Sequence, residues 1–200
     1  SSATIDNPAY RHVRADLSDP MVLCGESLFD EVFGTIPSSF NKLVLINNAG
    51  LLDTAYVGDI DPLKFTKLIT CNVTAPGLLC NTFMQRFKEC KGLKMVANIS
   101  SGAANKNYDG WAGYCSSKAA LDRFSTVMQE EQVIRKTGIK VYSIYPGIVE
   151  TGMQAHIRGG TVDNFSTISK FKDMHEAGEL YTADTSAEKI LYILGSPMDH

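Results

Sequence analysis

Residues 43–50 read LVLINNAG, an apolar run that stops abruptly in two asparagines, an alanine and a glycine. Two later stretches repeat that layout, KMVANISS at 94–101 and IKVYSIYPG at 139–147. Near-continuous apolar character, in place of strict alternation, is the pattern of a strand covered by helices on both faces, as in a parallel sheet. A fourth candidate strand is YRHVRADL at 10–17. Between the strands, residues 20–33, 62–91 and 113–136 carry helical periodicity, and residues 186–194 do so near the end. Parallel strands require long crossovers, so the alternation predicts right-handed βαβ units. The expected fold is α/β: a doubly wound parallel sheet of Rossmann type, built as a three-layer sandwich. With no internal repeat, low-complexity tract or linker, residues 1–200 read as a single domain.

In such a sheet the ligand crevice lies outside the carboxyl ends of the strands. Asp16, Asn48, Ser101 and the pair Pro146-Gly147 occupy those ends and are expected to converge there. Composition narrows the partners. The 200 residues are 44% hydrophobic and 20% charged, enough for one sizeable core, and the formal net charge is −3 with the two signs interspersed. No basic stripe invites nucleic acid, and no apolar run approaches the roughly 20 residues that span a bilayer. Five cysteines, odd in number and without a CxxC pair, argue against a disulfide framework or zinc knuckle and for a reducing, cytoplasmic location. The scattered His12, His156, His175 and His200 lack ligand spacing, so no metal is expected.

The segment GYCSSKAALDRF at 113–124 carries the chemistry. Tyr114 and Lys118 stand four apart, which places them on one helix face about 6 Å apart along the axis. An ammonium near a phenol favours the phenolate: at about 4 Å and an effective dielectric near 20 the attraction is at most ~4 kcal/mol, or roughly three pKa units. That would draw Tyr114 toward the range of a useful general acid. Ser101, thirteen residues upstream at a strand end, offers a hydroxyl to a carbonyl oxygen that gains negative charge.

Taken in order, NNAG, NISS, YCSSK and PGIVET resemble the motif set of the classical short-chain dehydrogenases/reductases, with a match running from about Val13 to Leu194. The resemblance implies that Tyr114 is the proton donor, that Ser101 positions the carbonyl, and that Lys118 holds the nicotinamide ribose and tunes Tyr114. Asn72, in TCNVTAP, matches the fourth member of the family's catalytic tetrad. By the same resemblance Asp16 and Leu17 are adenine contacts, and Asn48, Ala49 and Gly50 line the cofactor cleft. Tyr114, Lys118, Pro146, Gly147, Val149, Thr151 and Met153 complete the cofactor set, and Ser101, Gly102, Tyr114 and Gly147 border the substrate.

The segments TGMQAHIR and FKDMHEAGELYTADTSAEKIL, with GWAGYCSSKAALD, are similar to sepiapterin reductases and the related benzil reductases. That implies NADPH as cofactor and a vicinal dicarbonyl or pterin side-chain ketone as substrate. The family's first strand and glycine-rich TGxxxGxG turn have no counterpart in the chain, and Gly159-Gly160 is no substitute. The chain is thus expected to start near the family's third strand, as a fragment or truncated product with weakened cofactor affinity. Asp199, in the closing SPMDH, is the nearest candidate for the aspartate that anchors pterin in sepiapterin reductases. Two other readings remain: a non-catalytic scaffold that keeps the fold, and an NAD-dependent alcohol dehydrogenase of the same family. The family also implies a homodimer or homotetramer built on the long helices, where Leu78, Leu79, Phe83 and Phe124 serve either an interface or the core.

Overall fold

A computed structural model of the chain describes residues 7, 9–34, 36–37, 39–162 and 164–195. Asp199 and His200 lie outside the described residues. Three parallel strands, β1 (Lys42–Asn47), β2 (Leu93–Ile99) and β3 (Ile139–Ile144), form a sheet in the order β1-β2-β3. They pair in register from Lys42↔Leu93 to Asn47↔Asn98, and from Lys94↔Ile139 to Ile99↔Ile144. All three carboxyl ends therefore come level at one edge, which is the crevice expected from the topology.

The helices form the outer layers. In chain order they are α1 (Pro20–Cys24), α2 (Glu26–Phe33), α3 (Pro62–Ile69), α4 (Ala75–Phe87), α5 (Ala112–Ile134), α6 (Gly152–Arg158), α7 (Ile168–Glu176) and α8 (Ala183–Gly195). Alternate strand residues serve opposite layers, as the period of two requires. On one face Leu43, Leu45, Val96, Ile139 and Val141 pack with Phe33, Phe83, Phe87 and Met128 of α2, α4 and α5. On the other, Val44, Met95, Ala97, Tyr142 and Ile144 pack with Ile190 and Leu194 of α8. The three-layer α/β sandwich predicted from the strand pattern is thus present.

The expected fourth strand is not. Residues 10–16 run without regular structure, and none of the described strands pairs with them; a strand needs a partner ladder, and only apolar anchoring remains. Val13 and Leu17 supply it by packing on Leu23, Leu28 and Ala75. The helix predicted over 20–33 is interrupted at Gly25, whose extended backbone (φ −78°, ψ 134°) separates α1 from α2. The segment 62–91 divides into α3, a π-helical turn over Thr70–Thr74 and α4. The periodicity of 113–136 corresponds to α5, and Lys136 closes it with φ 54°. Of the four apolar helix residues weighed for an interface, Phe83 is buried, Leu78 and Leu79 are partly buried against core clusters, and Phe124 is exposed.

Helix α3 shows how local sequence sets a boundary. Asp61 accepts from the backbone N–H of Leu63 (2.8 Å) and Lys64 (3.0 Å), and Pro62 occupies the first helical position. Asp61→Ala is expected to cost about 1 kcal/mol, seen as a melting temperature lowered by about 2–4 °C.

Candidate active site

The π-helical turn is the first device that shapes the site. One extra residue per turn rotates Thr70, Cys71 and Asn72 inward, and such turns concentrate at functional sites. Asn72 is only 1% exposed. Its Oδ1 accepts from the Leu51 N–H (2.8 Å), while its Nδ2 donates to the Leu51 carbonyl (2.8 Å) and to Ser117 Oγ (3.0 Å). Ser117 in turn donates to the Tyr114 carbonyl (2.8 Å). One amide therefore ties the loop after β1 to the first turns of α5.

On α5, Tyr114 and Lys118 are both buried, at 7% and 4% exposure. Lys118 Nζ lies 5.7 Å from the centroid of the Tyr114 ring and donates to the Ile99 carbonyl (2.8 Å) at the end of β2. Ser101 follows two residues later and caps a 3-10 turn (Gly102–Asn105), its Oγ accepting from the Ala103 N–H (3.1 Å). Gly50 closes this side: a Cβ there would lie 3.6 Å from both Lys118 Nζ and Asn72 Oδ1. Ser101, Tyr114, Lys118, Asn72 and Gly50 are thus gathered from four separate elements at the carboxyl edge of the sheet.

The electrostatics differ from the sequence expectation. Burial pushes the Tyr114 phenol above its ordinary value, and a hydrogen bond with Ser101 only partly offsets it. Burial also lowers Lys118, to about 8, against smaller opposing influences from Cys71 and Asp122. Desolvation is the largest cause of both shifts, and the lowering of Tyr114 by Lys118 that the four-residue spacing suggested is not found. The phenol consequently keeps its proton at neutral pH.

Beside this cluster, a cavity of about 310 Å³ is lined by Leu17, Asn48, Ala49 and Cys71 together with apolar residues of β1, α2 and α4. Asp16 lies next to it, exposed, with its carboxylate bonded by the Ser18 N–H (2.9 Å) and hydroxyl (2.7 Å), which holds its pKa below the usual range. After β3 the chain turns through Pro146 and Gly147, the latter at φ +84°, a conformation that favours glycine. Val149 bridges to Tyr181 in parallel fashion, Thr151 opens α6, and Met153 packs toward Tyr114 with the aromatic residues around it. Gly102 is exposed on the 3-10 turn, with open space where a side chain would sit.

Other contributors carry no motif. Trp111 meets Tyr114 edge to face (5.8 Å) and stacks on Phe165 (4.7 Å), within a cluster that includes Tyr108 and Phe171. The Asp109 carboxylate accepts from Tyr56 (2.7 Å) and from the Ser166 N–H (2.8 Å) and hydroxyl (3.0 Å), joining three loops around that cluster. The apolar spacing of Phe165, Ile168 and Phe171 was the only local signal for α7, because its other face is polar.

Residues 23–161 match the short chain dehydrogenase family. The chain is a short-chain dehydrogenase. It is 37% identical over 173 residues to benzil reductase ((S)-benzoin forming) of Bacillus subtilis, covering 84% of this chain and 70% of that protein. It is 31% identical over 196 residues to sepiapterin reductase of Bos taurus, covering 94% and 70%. Among solved structures, the KRED1-Pglu enzyme superposes with a TM-score of 0.76 at 26% identity, covering 93% of this short-chain dehydrogenase and 74% of that chain. The family's enzymes are oxidoreductases that use a nicotinamide cofactor, and the relatives make this one a carbonyl reductase in the broad sense. No helix among the described residues is long and apolar enough to cross a membrane, and no acidic, histidine or cysteine cluster suited to a metal occurs among them.

Proposed function

We propose that this short-chain dehydrogenase is an NADPH-dependent reductase of ketones and vicinal dicarbonyls, with Tyr114 as the proton donor. The observation that carries the reading is the meeting of Ser101, Tyr114 and Lys118 in a buried corner that Asn72 locks to the loop after β1. The residues present suit a nicotinamide nucleotide. Leu17, Asn48 and Ala49 line a cavity leading to Gly50 and the Lys118 cation, while Pro146, Gly147, Val149, Thr151 and Met153 edge the opposite side. These residues, with Asp16, would hold it, and when bound it supplies the hydride that reaches the carbonyl carbon.

The chain's own groups do the rest. Ser101 orients the substrate oxygen and stabilises its growing negative charge, and Tyr114 delivers its hydroxyl proton to that oxygen. Lys118, a cation below about pH 8, favours the tyrosinate left behind. Gly102 and Gly147 present only backbone at the substrate's edge. A largely buried aromatic wall of Tyr108, Trp111 and Phe165 backs Tyr114 from within the core, and an aryl or pterin ketone is the substrate class in keeping with the benzil and sepiapterin reductases. A homodimer or homotetramer in the cytoplasm accords with the odd, unpaired cysteines and with exposed Phe124 and Val127 on α5.

The test is oxidation of NADPH by the full-length protein with benzil, sepiapterin and a simple diketone, against NADH. Turnover with NADPH and a dicarbonyl is the expected result; preference for NAD and an alcohol, or cofactor binding without turnover on any carbonyl, would replace the reading. The pH dependence carries opposite signs for activity and stability. Lys118 titrates at about 8 in the folded protein and near 10.5 when unfolded, so the folded state binds fewer protons between those values. Its contribution therefore makes stability rise with pH across that window, while kcat/KM falls as pH passes about 8. A pH–rate profile measured beside thermal unfolding separates the two.

A further inference from the structure

We infer that Tyr181 is a positioning residue whose ring fixes the Gly147 turn, the turn that, on the function proposed above, holds the nicotinamide end of the cofactor. Tyr181 lies 34 positions beyond Gly147 in sequence, past α6 and α7, yet its ring is the nearest object to that glycine: a Cβ on Gly147 would sit 2.6 Å from Tyr181 Cδ2 and Cε2. The ring therefore covers the side of the turn that a side chain would occupy. Backbone bonds lock it there. The Tyr181 N–H donates to the Ile148 carbonyl (2.9 Å), and the Glu150 N–H donates to the Tyr181 carbonyl (2.9 Å).

Two more contacts hold the brace from α8. Ser186, buried, donates its hydroxyl to the Pro146 carbonyl (3.1 Å), and its N–H bonds Thr182 (3.1 Å). On the outer side, Lys189 Nζ lies 3.7 Å from the Tyr181 ring centroid, a cation–π contact that pins the ring from solvent. Residues 181–189 thus grip 146–150 at Pro146, Gly147, Ile148 and Glu150. A glycine at φ +84° has the widest backbone freedom in the loop, so it is where an external brace has most to restrict.

The test measures hydrogen exchange of the cofactor-free, full-length protein together with NADPH affinity, in wild type, Tyr181→Ala, Tyr181→Phe and Ser186→Ala. Tyr181→Ala is expected to speed exchange of the Glu150 amide and to weaken NADPH binding by about tenfold, since misplacement of a binding loop by a fraction of an ångström has effects of that order. Tyr181→Phe keeps the ring and restores both values. Ser186→Ala, which removes one grip, shifts both in the same direction by about threefold and decides the matter if Tyr181→Ala does not fold. Unchanged exchange and affinity in Tyr181→Ala, or a Phe variant as impaired as Ala, overturns the brace alone. A wild-type protein that binds neither NADPH nor NADH overturns the proposed function and the role of the brace with it.

Discussion

Tyr114→Phe is expected to slow carbonyl reduction by about 10²–10⁴-fold, the range that a positioned proton donor contributes. The change removes one oxygen atom. The ring is 7% exposed and wedged edge to face against Trp111, contacts that phenylalanine retains, so the fold and the aromatic wall persist. Cofactor affinity stays near wild type, because Lys118 keeps its bond to the Ile99 carbonyl and Asn72 its bonds to Leu51. The loss falls on kcat and kcat/KM alike, the mark of an interaction made in the transition state. Steady-state kinetics beside a cofactor titration check it; a variant that keeps a third or more of wild-type kcat excludes Tyr114 as the donor.

Asn72→Ala is expected to damage both stability and turnover. Its amide satisfies the Leu51 N–H, the Leu51 carbonyl and the Ser117 hydroxyl, and truncation leaves the buried Ser117 hydroxyl and the part-buried Leu51 groups without it. Each buried polar group left unsatisfied costs about 1–3 kcal/mol, so a total near 3 kcal/mol is expected once partial relaxation is allowed. The loop at Gly50 and the start of α5 then separate, and because that junction fixes Tyr114 and Lys118 relative to Gly50, kcat is expected to fall by at least about tenfold. Urea unfolding and single-turnover kinetics measure the two effects. Lost stability with unchanged kcat would make Asn72 a structural residue only.

The sheet was legible because burial on both faces imposes one kind of residue along each strand: LVLIN, KMVANI and IKVYSI are apolar nearly throughout. The expected site residues Ser101, Tyr114, Lys118 and Asn72 stand out in the sequence where chemistry restricts residue choice, and the structure brings the four together. Residues 10–17 misled because VRADL carries strand-like alternation, whereas a strand is made by the partner it pairs with, which a local pattern does not reveal. The break at Thr70–Thr74 was hidden for a related reason: a π-turn keeps helical composition and changes only the phase of the residues that follow. The Tyr114–Lys118 pair shows the limit of spacing as a guide to charge. Four residues along a helix fix proximity, but the burial that reverses the shift comes in part from Ile157, Phe165, Ile168 and Phe171, distant in sequence. Tyr181 lay beyond reach altogether, since no pattern links position 181 to Gly147.

The most direct test of the central claim is to supply NADPH deuterated at the transferable C4 position together with benzil, and to locate the deuterium in the product. Reduction by this short-chain dehydrogenase predicts one deuterium on the carbinol carbon of benzoin, with the hydroxyl proton drawn from solvent by way of Tyr114, and product formed about 10²–10⁴-fold more slowly by the Tyr114→Phe protein. Benzoin that carries no deuterium, or equal product from the phenylalanine variant, would contradict it.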